Sequence, residues 1–120
     1  MILAIDPGNV ESAYTIMDKR TMKPIEVGKC SNECLLQRLD NLSQNKFECC
    51  AIEMVASYGM PVGASVFETC VWIGRFWEMV ENRVGIPTVR IFRKDVKMNI
   101  CGQTKAKDGN IRQALIDSLS

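Results

Sequence analysis

Two acidic residues stand at the ends of short apolar runs. Ile2, Leu3, Ala4 and Ile5 lead into Asp6, and Pro7-Gly8-Asn9 cuts the run off. Cys49, Cys50, Ala51 and Ile52 lead into Glu53, and Met54 and Val55 continue the apolar character. Runs of this length fit strands buried on both faces. A carboxylate delivered at such a place costs free energy unless something pairs with it. Two strands that each deliver one acid suggest a metal site shared between them. Carboxylate oxygens suit Mg2+, with Mn2+ as its substitute, and leave room for water and phosphate. Two such ions activate water and stabilise the leaving oxygen of a phosphodiester. The plainer alternative is that Asp6 caps the Pro7-Gly8 turn and Glu53 pairs with a lysine.

Composition narrows the field. A chain of 120 residues favours one domain. With 47% hydrophobic and 24% charged residues it is an ordinary globular composition, and a net charge of +1 does not by itself mark a nucleic-acid binder. There is no His, so Ser-His and Cys-His catalysis are excluded. Asp6 interrupts the opening run too early for a secretory signal. The six cysteines therefore read as reduced thiols of a cytoplasmic protein, with adjacent Cys49 and Cys50 inside a strand and Cys70 inside a helix. Cys30 and Cys34 lack the second pair that a zinc site needs. No run approaches the ~18 apolar residues of a membrane span.

The elements that must position the two acids follow from periodicity and breakers. Strands are expected at 13–17 and 24–29 beside the first, an antiparallel meander. Ser31 or Asn32 caps a helix whose buried stripe is Leu35, Leu36, Leu39 and Leu42. Residues 47–55 form the fourth strand, and 56–63, with two glycines and a proline, a loop. A long helix runs from about 64 to 83, apolar on most sides. Its stripe of Val66, Cys70, Ile73, Trp77 and Val80 is expected on the sheet. The surplus of Phe67, Val71 and Phe76 is expected at a homodimer interface. Gly85-Ile86-Pro87 stops it, a fifth strand covers 88–92, a short helix 93–101, a basic loop 102–105, and a last helix 107–119. A right-handed crossover places the fourth strand beside the first, which brings Asp6 and Glu53 together.

Three stretches taken in order resemble the RuvC-type Holliday junction resolvases of the ribonuclease-H-like nuclease superfamily, and most of all their short phage and bacterial relatives. They are Ile2-Leu3-Ala4-Ile5-Asp6-Pro7-Gly8-Asn9 with Ala13-Tyr14, Ala51-Ile52-Glu53-Met54-Val55, and the segment from Val96-Lys97 through Gly102 to Ala106–Ile111. The resemblance implies one α/β domain over residues 1–120, built on a mixed five-stranded sheet with its first three strands antiparallel and helices flanking it. It implies a Mg2+-dependent, structure-selective endonuclease that cuts four-way junctions as a homodimer, in recombination, repair or phage DNA processing, in the cytoplasm of a bacterium or an infected host. It assigns Asp6 and Glu53 as catalytic metal ligands. The family completes its set with aspartates on a helix beyond the matched region. The domain is therefore expected to lack that helix, with Asp108 or Asp117 as substitutes or catalysis lost.

The remaining candidates are weighed beside plainer roles. Arg93, Lys97, Lys105, Lys107 and Arg112 crowd the last third of the chain. They are either a solvated face or contacts to phosphate, which give affinity without sequence information. Tyr58, with Met60, either packs its loop or stacks on unpaired bases at a junction centre. A branched-DNA-binding protein that has lost catalysis is the main alternative function. An actin-like ATPase lobe and a ribosomal-RNA-processing nuclease fit less well.

Overall fold

The computed structural model describes residues 1–55 and 63–92. Five strands form one sheet: β1 Ile2–Asp6, β2 Glu11–Met17, β3 Pro24–Ser31, β4 Cys49–Met54 and β5 Thr88–Phe92. Helix α1 is Asn32–Asp40, a 3-10 turn covers Gln44–Lys46, and helix α2 is Ala64–Trp77, running into a π-helical turn at Glu78–Val84. The strand order is β3-β2-β1-β4-β5. β1, β2 and β3 are antiparallel, whereas β4 is parallel to β1 and to β5. This is the expected mixed five-stranded α/β sheet.

The sheet has two unlike faces because side chains alternate along each strand. On one face Leu3, Ile5, Tyr14, Cys50 and Ile52 join Leu35 and Leu39 of α1 and Trp72, Ile73, Phe76 and Val80 of the long helix in the main core. On the other face Ile2, Met17, Cys49, Ala51 and Ile91 form a smaller cluster. Asp6 and Glu53 continue the series of Ile2, Ala4 and Cys49, Ala51, so both belong to this second face. Cys30, Cys34, Cys49, Cys50 and Cys70 are all free thiols. Among the described residues, no helix is long and apolar enough to cross a membrane.

The long helix is where the expected packing changes. Its buried residues are Thr69, Trp72, Ile73 and Phe76, followed by Val80 in the π turn. The inward stripe is thus turned toward the aromatics, and Val66 and Cys70 lie at its margin. Phe76 has no exposed surface, so it belongs to the chain's own core and not to a partner-facing side. Trp72 and Phe76 pack with ring centroids 5.7 Å apart. At the far edge of the sheet, β3 is mostly exposed. Its Gly28 pairs with Tyr14, and a Cβ at Gly28 would lie 2.7 Å from the Tyr14 ring, so the ring lies directly over the glycine backbone.

Candidate metal centre

Ile5 and Ile52 are side by side in the parallel β1/β4 ladder. The next residue of each strand is an acid. Neighbouring strands are ~4.8 Å apart and paired residues share a face, so Asp6 and Glu53 are lateral neighbours at the carboxyl ends of the two central strands. Ala13 lies opposite Asp6 on β2, and Ile91 opposite Glu53 on β5. One row back, Ala4 pairs with Ala51 and Thr15. Small residues therefore flank Asp6 and lie one row behind both acids, while Ile91 stands beside Glu53. Asp6 is exposed and Glu53 half-buried, so the Asp6 carboxylate is open to solvent and Glu53 partly so.

The donor set fits a hard divalent cation. Mg2+ is commonly held by one or two carboxylates, with substrate phosphate and water completing the shell, and two adjacent carboxylates supply that. Among the described residues, no third His, Cys, Asp or Glu joins them in a cluster of three. The remaining expected catalytic acids, Asp108 and Asp117, lie outside the described residues. So do Tyr58, Arg93, Lys97, Lys105, Lys107 and Arg112. Of the expected interface residues, Phe67 and Val71 are 61% and 56% exposed on α2.

The turn after Asp6 carries a feature that periodicity does not reveal. The Gly8 N–H donates to Ser12 Oγ at 3.1 Å, the Ser12 hydroxyl donates to Asn32 Oδ1 at 2.5 Å, and Asn32 Nδ2 donates to the Gly8 carbonyl at 3.0 Å. The ring of three hydrogen bonds is closed. The Asn32 backbone N–H also donates to the Val10 carbonyl at 2.9 Å. Ser12 and Asn32 are 1% and 0% exposed. Asn32 stands one residue beyond the helix cap: Ser31 Oγ accepts from the Cys34 N–H at 3.2 Å, while Asn32 opens α1 and turns inward. From sequence Asn32 reads as one of two candidate caps of the first helix and Ser12 as an ordinary polar residue after a turn, so neither points to this ring; the structure gives the cap to Ser31.

No family model matches the sequence, and no curated protein matches it. Solved structures do. Thermus thermophilus RuvC is 14% identical with a TM-score of 0.61, over 92% of this chain and 74% of that one. T. thermophilus RuvC in complex with a Holliday junction substrate is 13% identical with a TM-score of 0.61, over 92% and 73%. At these identities the likeness speaks for the fold. The chain has a mixed-sheet α/β fold, and its architecture is similar to that of RuvC.

Proposed function

We propose that this chain is a divalent-metal-dependent endonuclease acting on branched DNA, with four-way junctions as its substrate and a homodimer as its working form. The observation that carries the reading is the β1/β4 register, which pairs Ile5 with Ile52 and so makes Asp6 and Glu53 the next residues on adjacent strands, on a fold shared with a resolvase whose complex with a Holliday junction has been solved. Mg2+, or Mn2+ in its place, would supply a polarised water and charge stabilisation at the scissile phosphate. Asp6 and Glu53 would hold the ion, and Pro7 and Gly8 would fix the direction from which the Asp6 carboxylate approaches. Asp108 or Asp117 would complete the acid set. Lys97, Lys105, Lys107, Arg93 and Arg112 would neutralise phosphates, with Tyr58 at the branch point.

The test replaces ligands with isosteres. Asp6→Asn and Glu53→Gln each remove a ligand charge and little volume. Both should abolish Mg2+-dependent nicking of a four-way junction while leaving junction binding intact in a gel-shift assay. Cleavage at the wild-type rate by either variant would rule out the site. A wild type that binds junctions without cutting them would support instead a branched-DNA-binding protein of the same fold.

A further inference from the structure

We infer that Ser12 and Asn32 are positioning residues that set the Asp6 carboxylate for its metal, an inference that rests on the nuclease reading of the same site. Burying a serine hydroxyl and an asparagine amide costs free energy unless every polar atom finds a partner. Here they are satisfied by each other and by the backbone of one residue, Gly8. Nothing about a helix start requires this, because Ser31 already provides the side-chain cap of α1. The two side chains are spent on the turn.

The geometry makes that turn rigid. Gly8 has both its N–H and its C=O engaged by the pair. Asn32 grips the turn at a second point through the Val10 carbonyl. A Cβ at Gly8 would lie 2.2 Å from the Glu11 carbonyl oxygen, so the chain passes through a space that admits only glycine. Between this clamped glycine and Asp6 stands only Pro7, whose ring fixes φ. A shift at Gly8 is therefore passed to Asp6 with little slack. On the other side, β1 is held by β2 up to Asp6 itself and by β4 up to Ile5. The acid thus sits between a sheet ladder and a hydrogen-bonded ring anchored on α1. Residues that orient metal ligands in this indirect way matter at about the tenfold to hundredfold level in metal affinity.

The experiment measures Mn2+ binding by calorimetry on the DNA-free protein, alongside circular dichroism and cleavage kinetics. Ser12→Ala opens the ring, Asn32→Ala removes two of its hydrogen bonds, and Ser12→Thr restores the hydroxyl. Folded Ser12→Ala and Asn32→Ala should bind Mn2+ about tenfold or more weakly and lose kcat with junction KM unchanged. Ser12→Thr should recover both. Wild-type Mn2+ affinity in a folded Ser12→Ala variant would overturn the inference. So would a Ser12→Ala chain that fails to fold, since the role would then be purely structural. Should Asn32→Ala alone fail to fold, the comparison of Ser12→Ala with Ser12→Thr decides. A wild type that binds Mn2+ yet never cuts branched DNA removes the nuclease reading and leaves the clamp to stand or fall on Mn2+ affinity. A wild type that binds no Mn2+ overturns both.

Discussion

Cys50 lies in the middle of β4 with no exposed surface, its thiol facing the main core. Burial pushes that thiol well above the ordinary range, with the neighbouring Cys49 adding to it. Cys49 is raised as well, first by burial and then by Glu48. In the folded chain these thiols hold their protons to higher pH than in the unfolded chain. Their contribution to stability is therefore complete below the unfolded thiol value of about 8.5 and is lost as the pH rises above it. Urea unfolding should show stability falling between about pH 8.5 and about pH 10, with a slope approaching ~1.4 kcal/mol per pH unit for each fully protected thiol. Cys50→Ala should be less stable at neutral pH because of the cavity, but with a visibly flatter alkaline slope. An equal slope in wild type and Cys50→Ala would show that the alkaline loss arises elsewhere. At this scale Asp6 and Glu53 were legible because an acid at the end of an apolar run breaks a pattern. Ser12 and Asn32 were not, because a small polar residue near a turn breaks none.

The strands were the most readable elements. β1, β2, β5 and the order of the meander follow from short apolar runs and their breakers, and only boundaries moved, as where β3 runs on to Ser31 and β4 begins at Cys49 after Phe47. The phase of α2 was harder. A helix apolar on most sides offers several stripes of similar quality, and burial of large rings decided among them. Arg75 lies over the Trp72 ring at 4.1 Å and Arg90 over Trp77 at 4.5 Å, so arginines cover the parts of the indoles that the core leaves open. The end of this helix was legible as a stop but not as a π turn. The Gly85 and Ile86 N–H groups both donate to the Val80 carbonyl, at 3.0 and 2.9 Å, which lets Val80 and Ile86 both enter the core. Gly85 adopts φ 90°, and its carbonyl accepts from Gln44 Nε2 at 3.0 Å. A Cβ there would meet the Gln44 amide at 2.8 Å. Gly85→Ala should therefore cost about 1–2 kcal/mol of unfolding free energy from the left-handed backbone. Arg83→Ala, which breaks only an exposed pair with Asp40, should cost less than about 1 kcal/mol. Equal losses in the two variants would mean that the turn is not strained by a side chain at position 85.

For the whole molecule, the outstanding surface is the outer side of α2, where Phe67 and Val71 stay exposed. Val71 also lines an open groove with Leu36, Gly74, Arg75 and Met79 between α2 and α1. Exposed large apolar residues beside such a groove suit a second copy of the chain, and a two-fold dimer would present two sites to the two strands that junction resolution must cut. If the proposed dimer uses this face, Phe67→Glu would place a carboxylate in its interface at a cost of several kcal/mol. Sedimentation equilibrium should then give a dimer for wild type and folded monomers for Phe67→Glu. A wild type that remains monomeric at tens of micromolar protein would remove the dimer.

The order of the strands also has a consequence in time. β1 is made before its parallel neighbour β4, which follows only after β2, β3 and α1. The antiparallel meander is local and can form early, whereas the β1/β4 ladder must await a long-range crossover. The neighbouring placement of Asp6 and Glu53, the proposed cation site, would therefore form late in folding. A cation held there would act on the finished sheet by mass action, adding about 2.7 kcal/mol at a hundredfold excess over its Kd. It would slow unfolding while leaving the folding rate nearly unchanged. In a growing chain, the proposed site would have only one of its two acids in place until β4 arrived.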